Sequence, residues 1–136
     1  MPIEFTVNDQ QKFYTCRLSG VLDDQQVYDA WVNFYESKHW PEGYLELMDL
    51  SGIIEARLTP SGIQRVAEYR ISIHRLHAVA QNYLVFAPTD LTHGLCRMYH
   101  TYSGTSVENI KFAKTQAEVV SYIETYAAEL KITSQL

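Results

Sequence analysis

The strongest constraint on the fold is an alternation of periods along the chain. Ile3 to Val7 and Phe13 to Leu18 read as extended runs separated by the turn signal Asn8-Asp9-Gln10, which predicts a hairpin. Gly20 breaks the second run. Asp23-Asp24 then opens a helix carrying Val27, Trp31, Phe34 and Tyr35 at helical spacing, and Trp40-Pro41-Glu42-Gly43 stops it. Tyr44 to Asp49 reads as a strand, followed by a polar Asp49-Leu50-Ser51-Gly52, with Ile53 to Leu58 a short extended stretch or loop. A second helix begins at Thr59-Pro60-Ser61-Gly62. Either Thr59 caps it with Pro60 at the first helical position, or Ser61 caps it with Gln64 as capping-box partner. Its expected stripe is Val66, Tyr69, Ile73 and Leu76.

Gln81 to Phe86 has the character of a buried strand. Pro88-Thr89-Asp90 opens a third helix, striped by Leu91, Leu95, Met98, Tyr99 and Tyr102 and closed by Ser103-Gly104. Asn109 to Ala113 is a short strand. Thr115 with Glu118 forms a capping box for a last helix carrying Val119, Ile123, Tyr126, Ala127 and Leu130. Strands that alternate with helices in this way favour parallel pairing through right-handed crossovers. The expected architecture is one α/β domain over residues 1–136. It has a mostly parallel sheet of about five strands, four helices and an antiparallel first pair.

Composition narrows the function classes. Eleven Lys and Arg against sixteen Asp and Glu give a net charge of −5, which disfavours electrostatic binding to nucleic acid or an anionic membrane. No apolar run approaches the roughly 20 residues of a membrane span, and MPIEFTVNDQQK lacks the pattern of a secretory signal. A cytoplasmic location with reduced thiols is the expectation. Cys16 and Cys96 belong to no metal-ligand spacing, Cys16 reading as a small core residue and Cys96 as lying off the apolar centre of its helix. The histidines are His39, His74, His77, His93 and His100, with no HExxH pattern among them. No metal or cofactor is expected.

The order of elements resembles the SpoIIAA-like group, which includes STAS domains and anti-sigma-factor antagonists. The likeness in element order extends over nearly the whole chain. Locally it rests on a strand ending in Asp49-Leu50-Ser51 followed by Ser61-Gly62-Ile63 at a helix start. Antagonists of that group typically read Asp-Ser-Ser-Gly-Leu there, and a partner kinase phosphorylates the second serine. Ser61 takes the matching position, while Thr59-Pro60 replaces Asp-Ser and the preceding segment is longer. Gly94 to Tyr99 (GLCRMY) is similar to a segment of small bacterial SpoIIAA-like proteins. The resemblance implies a non-catalytic regulatory module that binds a protein partner, with Ser61 as the candidate phosphosite.

The residues themselves suggest two further features. Ligands of open α/β sheets collect beyond the carboxyl ends of the strands, so Asp49, Ser51, Thr59, Ser61 and Thr89 are candidate binding residues. They are equally the polar rim that such a sheet carries, and no second acid, base or nucleophile partner for Asp49 is legible, which argues against an enzyme. Arg70, His74, His93, Arg97 and His100 are either solvated surface or a candidate interface for a partner or a twofold dimer, since Arg and nearby Tyr favour interfaces. The alternative function is a small-molecule or lipid carrier. SpoIIAA-like domains share a general architecture with CRAL-TRIO domains, and this chain holds ten tyrosines and five phenylalanines.

Overall fold

In a computed structural model that describes residues 2–37, 40–77, 81–103 and 108–135, nine elements follow one another. They are β1 (Ile3–Asn8), β2 (Phe13–Asp23), α1 (Asp24–Glu36), β3 (Leu45–Arg57), α2 (Pro60–Leu76), β4 (Gln81–Phe86), α3 (Asp90–Ser103), β5 (Glu108–Ala113) and α4 (Gln116–Gln135). The five strands form one sheet in the order β1-β2-β3-β4-β5. β1 pairs antiparallel with β2, and every later pair is parallel.

Sequential parallel strands joined by crossovers of one hand must carry their helices on one face. α1, α2 and α3 accordingly pack side by side over the same side of the sheet. α4 follows the last strand and is free of that constraint. It covers the other face at β4 and β5, through Val119, Tyr122, Ile123 and Tyr126. The pleat sorts the side chains. Tyr14, Cys16 and Leu18 of β2, Met48 and Leu50 of β3, and Tyr83 and Val85 of β4 point toward α1–α3, while Leu45, Leu47 and Leu84 point toward α4.

Local signals set the helix starts. Asp23 accepts from Gln26 N at 2.8 Å while the Gln26 side chain accepts from Asp23 N at 3.0 Å, a complete capping box. Thr59 caps α2 with Pro60 in its first turn, so the Thr59 alternative holds and Ser61 is not the cap. Thr115 Oγ1 accepts from Glu118 N at 3.2 Å at the head of α4.

Four expectations are corrected. β2 does not break at Gly20 but runs on to Asp23, because Gly20 takes φ 74° and a register shift there keeps the pairing with β3. Ile53 to Arg57 is part of β3, extended by pairing with that longer β2 (Gly20 opposite Ile53, Leu22 opposite Ala56). α1 ends at Glu36, before Trp40-Pro41. The inward stripes of two helices are also rotated. α2 buries Ile63, Val66, Ala67, Arg70, Ile71 and His74 and leaves Leu76 exposed, and α3 buries Thr92, Cys96 and Ser103 and exposes Leu91. His39, Gly104 and the side chain of Leu130 lie outside the described residues.

Candidate functional site

Two features of the α1–α3 face carry chemistry. The first is the corner where α1 and α2 begin. The Asp24 carboxylate accepts from Thr59 N at 2.9 Å and from Thr59 Oγ1 at 2.6 Å. Thr59 Oγ1 in turn accepts from Gly62 N at 3.0 Å, filling the cap. A side chain at Gly62 would overlap the Asp24 carboxylate, so glycine is needed here for close approach. Ser61 is exposed, and its hydroxyl meets only Thr59 Oγ1, at 3.3 Å, among the described residues.

The second feature is a buried polar cluster beneath α2. Arg70 and Glu46 are both fully buried and form an ion pair with Nη2 and Oε1 2.5 Å apart. Tyr14 donates its hydroxyl to the same Glu46 oxygen at 2.7 Å. Arg70 Nε donates to the Tyr35 hydroxyl at 3.0 Å, and that hydroxyl is also 3.0 Å from His74 Nε2. Tyr83 reaches His74 Nδ1 at 3.4 Å. The guanidinium lies over Trp31, 3.7 Å from the ring centroid, and faces Tyr83 and Tyr99 at 4.6 and 5.5 Å. Burial drives the Glu46 carboxyl up from its ordinary value, while Arg70 and Tyr14 pull against it. The Tyr14 and Tyr83 hydroxyls are pushed well up by burial. Burial pulls the Arg70 guanidinium down, but Glu46 together with the Tyr35, Tyr83 and Tyr99 hydroxyls outweighs that pull and holds it well above its ordinary value, so it stays charged.

An apolar cleft opens beside this cluster, between the sheet and α1–α3. It holds about 80 Å³ and is half open to solvent. Its lining is almost wholly hydrocarbon and aromatic, with Arg70 as its buried charge and Asp24 also on its wall.

The sequence-derived candidates are not brought into one pocket. Asp49 accepts from Ser51 N and Oγ at 2.9 and 2.6 Å, lies 4.0 Å from Arg17, and sits with Leu47 and Val119 on the α4 side of the sheet. Thr59 and Ser61 belong to the Asp24 corner on the other face. Thr89 pairs with Thr92 at the head of α3. Alternation along β3 and the helices that follow separates these three groups. The surface reading of Arg70 and His74 is overturned, since both are fully buried and can present nothing to a partner. His93 and His100 are half-buried against the Phe112 ring, at 5.7 and 6.3 Å, while Arg97 is exposed. Cys16 is a core residue, as read. Cys96 is buried toward the sheet, not off the apolar centre, and its thiol is pushed up to about 12 by burial. Among the described residues no three His, Cys, Asp or Glu side chains come together as a metal site, and no helix is long and apolar enough to cross a membrane.

Glu46 and Tyr14 are not among the sequence-derived candidates, and Tyr35 is there only as a member of the α1 stripe. A signal existed. Glu46 shares the parity of Met48 and Leu50, and Arg70 falls one turn after Val66 and one turn before His74. An acid on the inner face of an apolar strand needs a base, and α2 supplies it.

No protein-family model matches the chain, and no curated protein matches it. Solved structures do. The anti-sigma factor antagonist SpoIIAA, in its unphosphorylated form, is similar over 90% of this chain and 96% of its own, with TM-score 0.50 and 11% identity. An uncharacterised protein of the DUF3478 family with a SpoIIAA-like fold, from Shewanella loihica PV-4, aligns over 89% of this chain and 91% of its own, with TM-score 0.49 and 12% identity. The fold of this chain is SpoIIAA-like: five strands with an antiparallel first pair and four helices.

Proposed function

We propose that the protein is a non-catalytic regulatory module that binds a protein partner at the α1–α2 corner, with Ser61 as a phosphorylation switch. The observation supporting this is a division of labour between two hydroxyls. Thr59 does the capping, so the exposed Ser61 hydroxyl has no structural task in holding α2. A phosphate on Ser61 brings up to two negative charges. The free N–H groups of the first turn favour that charge. The Asp24 carboxylate, reached through Thr59, opposes it. Phosphorylation therefore alters the charge and shape of the corner while the core beneath stays as it is. SpoIIAA shares the fold, and its role as an antagonist of another protein enters here as analogy.

The test is capture of partners from the native host by wild-type chain, Ser61→Ala and Ser61→Asp, followed by affinity measurement on any protein retained. The reading expects one partner held by Ser61→Ala and bound at least about tenfold more weakly by Ser61→Asp, a difference near 1.4 kcal/mol. Equal affinity for both variants removes the switch. Turnover of any substrate that Asp49→Asn abolishes, with the fold intact, would overturn the non-catalytic reading. A second reading, a small-molecule carrier, is favoured by the apolar cleft beneath α1–α3.

A further inference from the structure

The sheet narrows at one end. β1 pairs with β2 as far as Leu18, Ser19 N adding a bond to Pro2 O, and β4 pairs with β3 as far as Asp49. Past these points β2 and β3 run on by themselves, from Ser19 opposite Gly52 to Asp23 opposite Arg57. One face of this parallel ribbon packs on the core through Leu22, Ile53 and Leu58. Its β4 side is open: among the described residues no strand lies beside Gly52 to Arg57. An open strand edge presents a row of N–H and C=O groups ready to take another extended chain. A two-stranded ribbon is marginal by itself, and parallel pairing is the weaker kind. On the same segment Ile54 is 79% exposed, more than any other large hydrophobic side chain among the described residues.

Charged side chains on an edge strand deter unsuited partners. Here they are Glu55 and Arg57, both exposed and two residues apart on one face, with Arg57 Nε donating to Glu55 Oε1 at 3.2 Å. Two copies of this edge joined by a twofold axis run antiparallel, and residue i meets j where j meets i. With the axis at Ala56, Glu55 of each copy faces Arg57 of the other, so two opposite-charge pairs form across the seam. Moving the axis by one residue either way sets Glu55 against Glu55 or Arg57 against Arg57. The register centred on Ala56 also brings Leu58 of the second copy opposite Ile54. The edge is therefore complementary to itself. We propose that the β3 edge from Gly52 to Arg57 joins a second copy of this chain, as an antiparallel β3–β3 pair centred on Ala56 that makes the two sheets continuous. This goes beyond the Ser61 reading and does not depend on it. It places the twofold contact at the sheet edge rather than at the α2 and α3 residues.

The test is sedimentation equilibrium of the full chain across the micromolar range, with charge reversals at the edge. The wild-type chain should form dimers. Glu55→Arg leaves only positive charge at these two positions and Arg57→Glu only negative, so each variant alone should dimerise about tenfold or more weakly. An equimolar mixture of the two should recover wild-type dimerisation, because each edge then meets its opposite. Two chains that had merely failed to fold could not rescue one another. The double variant Glu55→Arg/Arg57→Glu should also dimerise as the wild type does. A wild-type chain that stays monomeric at every concentration overturns the proposal. Dimers that neither single reversal weakens, or that the mixture fails to restore, overturn it as well, by placing the contact elsewhere. A monomeric wild-type chain that retains an unlike protein from host extract, lost in both single variants, would assign the edge to an extended segment of that protein and overturn the second copy.

Discussion

Arg70 is the residue on which the interior turns. It joins β3 through Glu46, α1 through Tyr35 and the aromatic wall through Trp31. Removing one member of a buried pair leaves the other charge uncompensated, which costs about 3–5 kcal/mol. Arg70→Met and Glu46→Gln should each lose about that much in denaturant unfolding, and the double variant should lose clearly less than the sum. Additive losses would show that the pair is not a unit. Gly62 offers a sharper test, because the general rule and the local geometry disagree in sign. Alanine normally stabilises a helix by up to about 1 kcal/mol over glycine. Here Gly62→Ala displaces the Asp24 carboxylate from Thr59. It should therefore destabilise by about 1–2 kcal/mol in the wild-type chain, two hydrogen bonds being lost, yet stabilise in an Asp24→Ala background. Stabilisation in both backgrounds would show that the corner is looser than described.

Among the elements, the helix starts and the inward faces of α1 and α4 are legible in the sequence, whereas those of α2 and α3 are not. Asp23, Thr59 and Thr115 each cap their helix through an N–H three residues on, so the information is local and the sequence carries it. Thr59→Ala should cost about 0.5–2 kcal/mol while Ser61→Ala is close to neutral, a difference that thermal unfolding reads directly. Equal losses would mean that the cap is shared. The inward face of α2 is hidden in the sequence because Arg70 and His74 are polar by type and buried by partnership. Their partners Glu46 and Tyr35 lie 24 to 39 residues away and are brought near only by the sheet. The same reason hid the candidate site. Asp49 and Ser61 look like neighbours beyond a strand end, but the pleat sends Asp49 to the α4 face and the crossover carries Ser61 to the other. The full length of β3 is not legible because its second half is held by β2, not by its own sequence pattern.

The whole molecule responds to pH through groups that burial keeps neutral. The Cys96 thiol is pushed up to about 12, and Tyr14, Tyr83 and Cys16 are pushed well above their ordinary values, in each case chiefly by desolvation. Such groups ionise more readily in the unfolded chain. The stability they confer is complete below the ordinary thiol value of about 8.5 and is lost as pH rises toward the folded value. The urea midpoint should hold up to about pH 8 and fall steadily between about pH 9 and pH 11. A midpoint unchanged through that window would mean that these groups are not desolvated. Both cysteines should likewise resist alkylation until the chain unfolds.

The proposed switch stands on one modification, a phosphate on Ser61 at the α1–α2 corner above an unchanged core. The most direct measurement is mass spectrometry of the intact chain purified from its own cells, with fragment mapping of any added phosphate. The expected result is a single-phosphate form whose modification maps to Ser61, with Thr59 unmodified because its hydroxyl is held by Asp24 and Gly62 N. Native chain that carries no phosphate across growth conditions, or phosphate that maps away from Ser61, would contradict it.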